Sequence, residues 1–141
     1  MVAQVAGRAW SAVVAHRPAA VGGARTRIAA QLGNVVPAEM LTDIVAVAGE
    51  LVGNAVTHAS PLHGGVIRLS WRVRYATAGQ VVEVRVTDGG GPTEPKIREA
   101  GQDATEGRGL AIVDALCSAW GVERDGPEQT VWAELTRPYR R

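Results

Sequence analysis

The chain has 141 residues, of which 46% are apolar and 21% charged, with a formal net charge of +1. That length fits one domain able to bury a core without staples, the apolar share excludes a disordered chain, and the charge is too small to argue for nucleic acid. A single cysteine, Cys117, excludes a disulfide framework and a zinc set and points to a reducing compartment.

No run approaches the roughly 18 apolar residues of a membrane helix. Arg8 and Trp10 make the N-terminus a poor signal peptide. The expectation is a soluble, cytoplasmic protein with no direct nucleic-acid or membrane partner.

In chain order, residues 9–15 (AWSAVVA) are β-compatible. Pro18 suits the first turn of a helix over PAAVGGARTRIAAQL, which Gly33-Asn34 stops. Pro37 starts a second, stronger helix running to about Ala59. In it Leu41, Ile44, Ala48, Leu51, Val52, Ala55 and Val56 recur at helical spacing. Pro61 and Gly64-Gly65 end that segment.

The clearest strand follows. In VIRLSWRVRY, Ile67, Leu69, Trp71, Val73 and Tyr75 alternate with Arg68, Ser70, Arg72 and Arg74, the pattern of a sheet with one buried and one wet face. Val82, Val84 and Val86 alternate in the next strand, so the two form an antiparallel hairpin. Residues 89–107 read as a long polar loop, of a length that in a compact domain is either functional or mobile. Leu110, Val113, Leu116 and Cys117 mark a third helix, which Gly121 terminates. GVERD and QTVWAEL close the chain as a hairpin through Asp125-Gly126-Pro127. The fold class is α+β, a two-layer sandwich of a mixed, mostly antiparallel sheet with helices on one face, in one domain over 1–141.

Three features carry chemistry. Within ELVGNAVTHA, residues four apart sit about 40° apart around a helix, so Glu50, Asn54, Thr57 and His58 form one polar stripe. The opposite arc, with Val45, Val52 and Val56, would face the sheet. A solvated helix edge is usually built from strong helix formers such as Lys, Glu and Gln. Asn, Thr and His are not, which sets the stripe apart from ordinary surface.

The second feature is Asp88-Gly89-Gly90-Gly91, directly after a strand. It is either a flexible turn or a base reader: a carboxylate accepts from an exocyclic amine, and glycines let a planar ring approach. The third is Gly107-Arg108-Gly109-Leu110, read as opening the third helix. It is either a plain helix start or a phosphate cradle of bare N–H groups.

In this order and context the three features resemble the nucleotide site of the GHKL (Bergerat-fold, histidine-kinase-like) ATPase superfamily, over about residues 37–136. ELVGNAVTHA, VTDGGGP and GRGLAIVDALCSAWGV look most like its anti-sigma-factor serine/threonine kinase group. The resemblance implies ATP and Mg²⁺ as cofactors, with Asn54 coordinating the metal and Glu50 as general base. It implies Asp88 accepting from the adenine amine beside Gly90, and Gly107, Arg108, Gly109 and Leu110 at the phosphates under a lid of residues 92–106. It also places Thr130 near the base and His58 near the phosphates. The partners it implies are ATP or ADP, a sigma factor and an anti-sigma antagonist, with a homodimer among the assemblies common in relatives.

The sequence departs from the pattern at Pro92, where a fuller motif has glycine, and Gly49 loosens the turn before Glu50. Two other readings stand beside the kinase: a nucleotide-binding module that sequesters a partner without turnover, and a detached histidine-kinase catalytic domain. The chain is short for the latter, and His16, His58 and His63 are poorly placed as phosphoacceptors.

Overall fold

The alternation of Val82, Val84 and Val86 decides the architecture, because it continues across two neighbouring strands. In the computed structural model, which describes residues 7–91 and 104–139 (backbone alone for 104–109), these valines lie opposite Val73, Trp71 and Leu69 on one side. On the other side they lie opposite Leu135, Ala133 and Val131. Cross-strand partners share a face, so all nine side chains form one apolar surface.

The elements are β1 (Arg8–Ala15), α1 (Ala19–Leu32), α2 (Ala38–His58), β2 (Val66–Ala76), β3 (Gly79–Asp88), α3 (Ala104–Leu116), β4 (Ala119–Asp125) and β5 (Glu128–Pro138). The strands form a sheet in the order β1-β2-β3-β5-β4. Every described pairing is antiparallel, so the mixed sheet expected from the sequence is wholly antiparallel here. The helices cover the apolar face.

α2 lies between the other two helices, in contact with α1 and α3 and resting on β3 and β5. Its buried residues include Ile44, Val47, Ala48, Leu51, Val52 and Ala55. Full burial of one such Val, Leu or Ile stabilises by about 1.5–3 kcal/mol. The sheet-facing arc is therefore centred on Ile44, Ala48, Leu51 and Ala55. Of the three valines expected there only Val52 is fully buried, while Val45 and Val56 lie partly buried at the margin.

With 21 residues and a mean hydropathy of 1.3, α2 is also long and apolar enough, by length and composition, to cross a membrane. That corrects the expectation that no such run exists. Its apolar arc is taken up by the core.

Two boundaries differ from the sequence reading. α3 begins at Ala104, three residues before Gly107. Gly121 does not stop it, because the helix ends at Leu116 and Gly121 lies inside β4, where the Trp132 ring covers it 2.9 Å from where a Cβ would stand. Cys117, just past α3, packs against the core as expected. Burial, with help from Asp114 and Asp43, pushes its thiol up to about 12, so it is a packing residue and a poor nucleophile.

The opposite face of the sheet is open and carries a ladder of ion pairs. Arg68 meets Glu128 at 3.1 Å, Arg74 meets Glu134 at 3.5 Å, and Arg85 bridges Glu123 at 2.6 Å and Glu83 at 3.9 Å.

Candidate functional site

Asp88 is the last residue of β3 and belongs by parity to the apolar face. It is 1% exposed, the end of a row that begins with Val82, Val84 and Val86. Its Oδ1 accepts a hydrogen bond from the Gly90 N–H at 2.7 Å. Burial pushes its carboxyl above the ordinary 3.8. The Gly90 N–H, the Gln129 amide, and the positive charges of His16 and Arg124 each pull it back in part.

The turn after Asp88 is clamped by the protein's own backbone. Ser60, just past α2, donates its N–H to the Gly90 carbonyl at 2.8 Å and accepts from the Gly89 N–H at 2.7 Å. Gly90 has φ +80°, where an L side chain is strained, and a Cβ there would lie 2.7 Å from the Pro127 carbonyl. A Cβ on Gly89 would collide with the Pro61 carbonyl. The glycines that the sequence suggested for ring approach are thus also required by Pro61 and Pro127.

His16 braces the same corner. Carbonyls only accept, so its Nε2 carries the proton, shared between the Ala59 oxygen at 2.8 Å and the Ala55 oxygen at 3.0 Å. This supplies a donor to the Ala59 carbonyl at the C-cap of α2, of the kind helices leave unpaired, and a second donor to the Ala55 carbonyl, which already accepts from the Ala59 N–H. Nothing local in the sequence marks His16 for that place, since its partners lie 39 and 43 residues away.

Glu50 and Asn54 stand one turn apart on α2, which packs against α3. Asp43, two turns before Glu50 and within about 20° of it around the axis, acts electrostatically on Cys117 beyond the end of α3. Asn54 Nδ2 is buried with no hydrogen-bond partner. The O and N ends of an amide are interchangeable by rotation, so one polar end of Asn54 is left for another molecule. Among the described residues Glu50 has no hydrogen-bond or ion-pair partner. His58, in the last turn, is exposed.

Gly49 faces the other way. A Cβ on it would collide with the Nε of Arg25 and stand 2.8–3.0 Å from the Nη2 and Cζ of the same guanidinium. Its glycine admits the α1 side chain across α2, so the turn expected to be loose is covered.

Gly107, Arg108 and Gly109 lie in the first turns of α3. Among helical residues a helix leaves only the first three N–H groups unpaired, here those of residues 104–106, so none of the expected cradle residues keeps a free N–H by position. Leu110 is 3% exposed and buries its side chain. The expected lid, residues 92–106, falls mostly on 92–103, outside the described residues.

Thr130 lies on the parity opposite to that of Asp88. It lies opposite Thr87 in the β3–β5 ladder, their hydroxyls 2.7 Å apart. Thr87 is one residue out of phase with Asp88, so both threonines point to the open face. The residue opposite Asp88 is Gln129, which is 3% exposed and has a buried Oε1 without a partner. The signal was present in QTVWAEL: Gln129, Val131, Ala133 and Leu135 share one parity, and Thr130 has the other.

The elements bearing Asp88, the Glu50–Asn54 stripe and the start of α3 are thus in mutual contact through α2. The donor set fits a nucleotide with its metal: a buried carboxylate acceptor at one end, and at the other a neutral amide with an unbonded polar atom. Hard divalent cations such as Mg²⁺ take neutral oxygen ligands alongside phosphates and waters.

The model of one protein family, the histidine kinase-like ATPase domain, matches residues 14–135. Among curated proteins none matches the chain. Among solved structures, the crystal structure of the RsbU and RsbW domains of Rv1364c from Mycobacterium tuberculosis is similar, with a TM-score of 0.65 and 21% sequence identity. The likeness covers 94% of this chain and 34% of that one, so the chain spans about a third of its solved neighbour. At that identity the likeness is one of fold.

Proposed function

The chain belongs to the histidine kinase-like ATPase domain family, and from that membership we propose that it is an ATP-binding regulatory protein acting as an anti-sigma-factor serine/threonine kinase. The observation that supports the reading is a buried carboxylate at the end of β3, Asp88, and, on the helix packed against that strand, an amide with a buried unbonded polar atom, Asn54. The likeness of fold to a chain containing an RsbW domain and the ELVGNAVTHA motif support the kinase group within the family.

In this reading Asp88 accepts from the exocyclic amine of adenine, a charge-assisted bond contributing about 1.5–3 kcal/mol. Asn54 holds Mg²⁺ through its amide oxygen, and the bound ATP supplies the phosphoryl group. The backbone at the start of α3 lies at the phosphate end. Glu50, one turn before Asn54, takes the proton of a partner's Ser or Thr hydroxyl, the general-base role in phosphoryl transfer. The acceptor is an anti-sigma antagonist and the sequestered partner a sigma factor, in the cytoplasm.

Calorimetry with ATP, ADP and GTP, with and without Mg²⁺, tests the site. Adenine-selective, Mg²⁺-assisted binding is expected, and equal affinity for GTP would sink it. Incubation with γ-labelled ATP and a candidate antagonist tests the chemistry. Selective binding with no label on any protein partner would leave the second reading, a module that sequesters its partner without turnover.

A further inference from the structure

Gln129 is a polar residue where β5 could hold an aliphatic one. The residues that follow it at the same parity, Val131, Ala133 and Leu135, are buried and apolar. Gln129 is buried as deeply, and its Oε1 has no partner. An unbonded buried acceptor costs about 1–3 kcal/mol, so the side chain needs a reason to be an amide. Its position gives one. It stands directly across the ladder from Asp88, and its amide N–H is a donor to that carboxylate.

We propose that Gln129 is a positioning residue for Asp88. Its N–H, together with that of Gly90, fixes the carboxylate and leaves its remaining lone pairs as acceptors for the base. A carboxylate offers about four such lone-pair sites, enough for both donors and an exocyclic amine. The inference rests on the reading of Asp88 as the base reader and assigns to Gln129 the control of how far into acid that reading survives.

The other groups acting on Asp88 come from separate elements. His16 lies between β1 and α1 with its Nε2–H on the α2 carbonyls, and Arg124 lies on β4. The α2 side presents the neutral Asn54 amide, and His58 there is exposed. Burial is the strongest influence on Asp88 and favours its protonated form. Each donor removed therefore lets the carboxylate take up a proton at a higher pH.

The test uses the full chain and titrates a non-hydrolysable ATP analogue with Mg²⁺ between about pH 5 and 8, with inorganic tripolyphosphate as the probe of the phosphate end. Gln129→Leu should weaken ATP-analogue binding roughly tenfold near neutral pH, one charged hydrogen bond's worth. It should also move the acid fall-off of binding to higher pH and leave tripolyphosphate binding as in the wild type. Gln129→Glu keeps the shape and places a second carboxylate beside Asp88, so its fall-off should move further still.

A folded Gln129→Leu protein with the wild-type pH profile overturns the inference. If that variant does not fold, the Gln129→Glu profile decides in the same way. A wild-type protein that binds the ATP analogue no better than tripolyphosphate overturns the base-reading assignment itself, and Gln129 falls with it. Loss of selectivity in Asp88→Asn with an unmoved Gln129→Leu profile overturns the positioning role alone.

Discussion

The two faces of β3 treat charge in opposite ways. On the open face Glu83 lies between Arg72 at 3.5 Å and Arg85 at 3.9 Å, and Arg85 reaches on to Glu123. On the helix-covered face three valines separate two buried polar ends: Gln80, bonded to the Val35 carbonyl, and Asp88, sunk to 1% exposure with backbone and amide donors in place of an ion-pair partner. The ladder outside is self-sufficient and half-solvated, and such pairs contribute about 0–1 kcal/mol each. The end inside holds a desolvated carboxylate and, across the ladder from it, an amide atom of Gln129 with no protein partner, while α2, which packs on β3, carries another on Asn54. A polar group that a fold leaves unbonded under cover calls for a water, an ion or a ligand. Trp71 Nε1 is a third such atom, in the core and away from this end.

The contrast can be broken by substitution. The largest effect should come from Glu50→Gln, which removes the proposed base: labelled-phosphate transfer should fall about 10²–10⁴-fold with ATP affinity unchanged, and normal transfer would reassign the base. Asp88→Asn should weaken ATP binding roughly ten- to a hundredfold and erase the preference over GTP, read by calorimetry.

The same Asp88→Asn change should raise the melting temperature at neutral pH. Burial lifts the Asp88 carboxyl above 3.8, so its contribution to stability is present below 3.8 and lost as pH rises through the lifted value. The asparagine variant escapes that loss, and its advantage should vanish in acid.

Gly90→Ala should destabilise the fold by about 1–2 kcal/mol from backbone strain alone, and by more once the Pro127 carbonyl is met. Gly49→Ala should displace only the flexible end of Arg25 and gain up to about 1 kcal/mol of helix propensity. Chemical denaturation of the pair separates a glycine fixed by backbone from one that merely leaves room. The smallest effect should be that of Thr130→Val, which costs about 0.5–1.5 kcal/mol through the lost Thr87 bond while ATP affinity stays as it was. A clear loss of affinity would return Thr130 to the site.

Much of this was legible because local periodicity and burial agreed. The alternation from Ile67 to Val73 and from Val82 to Val86 gave two central strands, and the recurrence of Ile44, Ala48, Leu51 and Ala55 gave α2. The polar stripe on α2 and the acid at the end of β3 were legible as departures from those patterns. What failed depended on distance or on a single residue of phase. Motif position suggested Thr130, while strand parity, readable from Val131 and Leu135, selects Gln129. The crowding of Gly89 and Gly90 by Pro61 and Pro127, and the brace from His16, arise from chain segments far apart in sequence. α3 starts early because Ala104 and Glu106, both good helix formers, extend it ahead of the glycines that were read as its beginning.

The two main-chain bonds of Ser60 have an evolutionary corollary. They anchor the chain on the nucleotide side before it enters the exposed Leu62–Val66 turn, where Gly64 and Gly65 take φ of +88° and +75°. Within the turn the exposed His63 is the position open to change, because Pro61 crowds Gly89 and the Gly65 carbonyl accepts from the His16 N–H at 3.0 Å. The turn is where related chains can diverge in size, and where a tag or fluorophore can be grafted with least disturbance to ligand affinity.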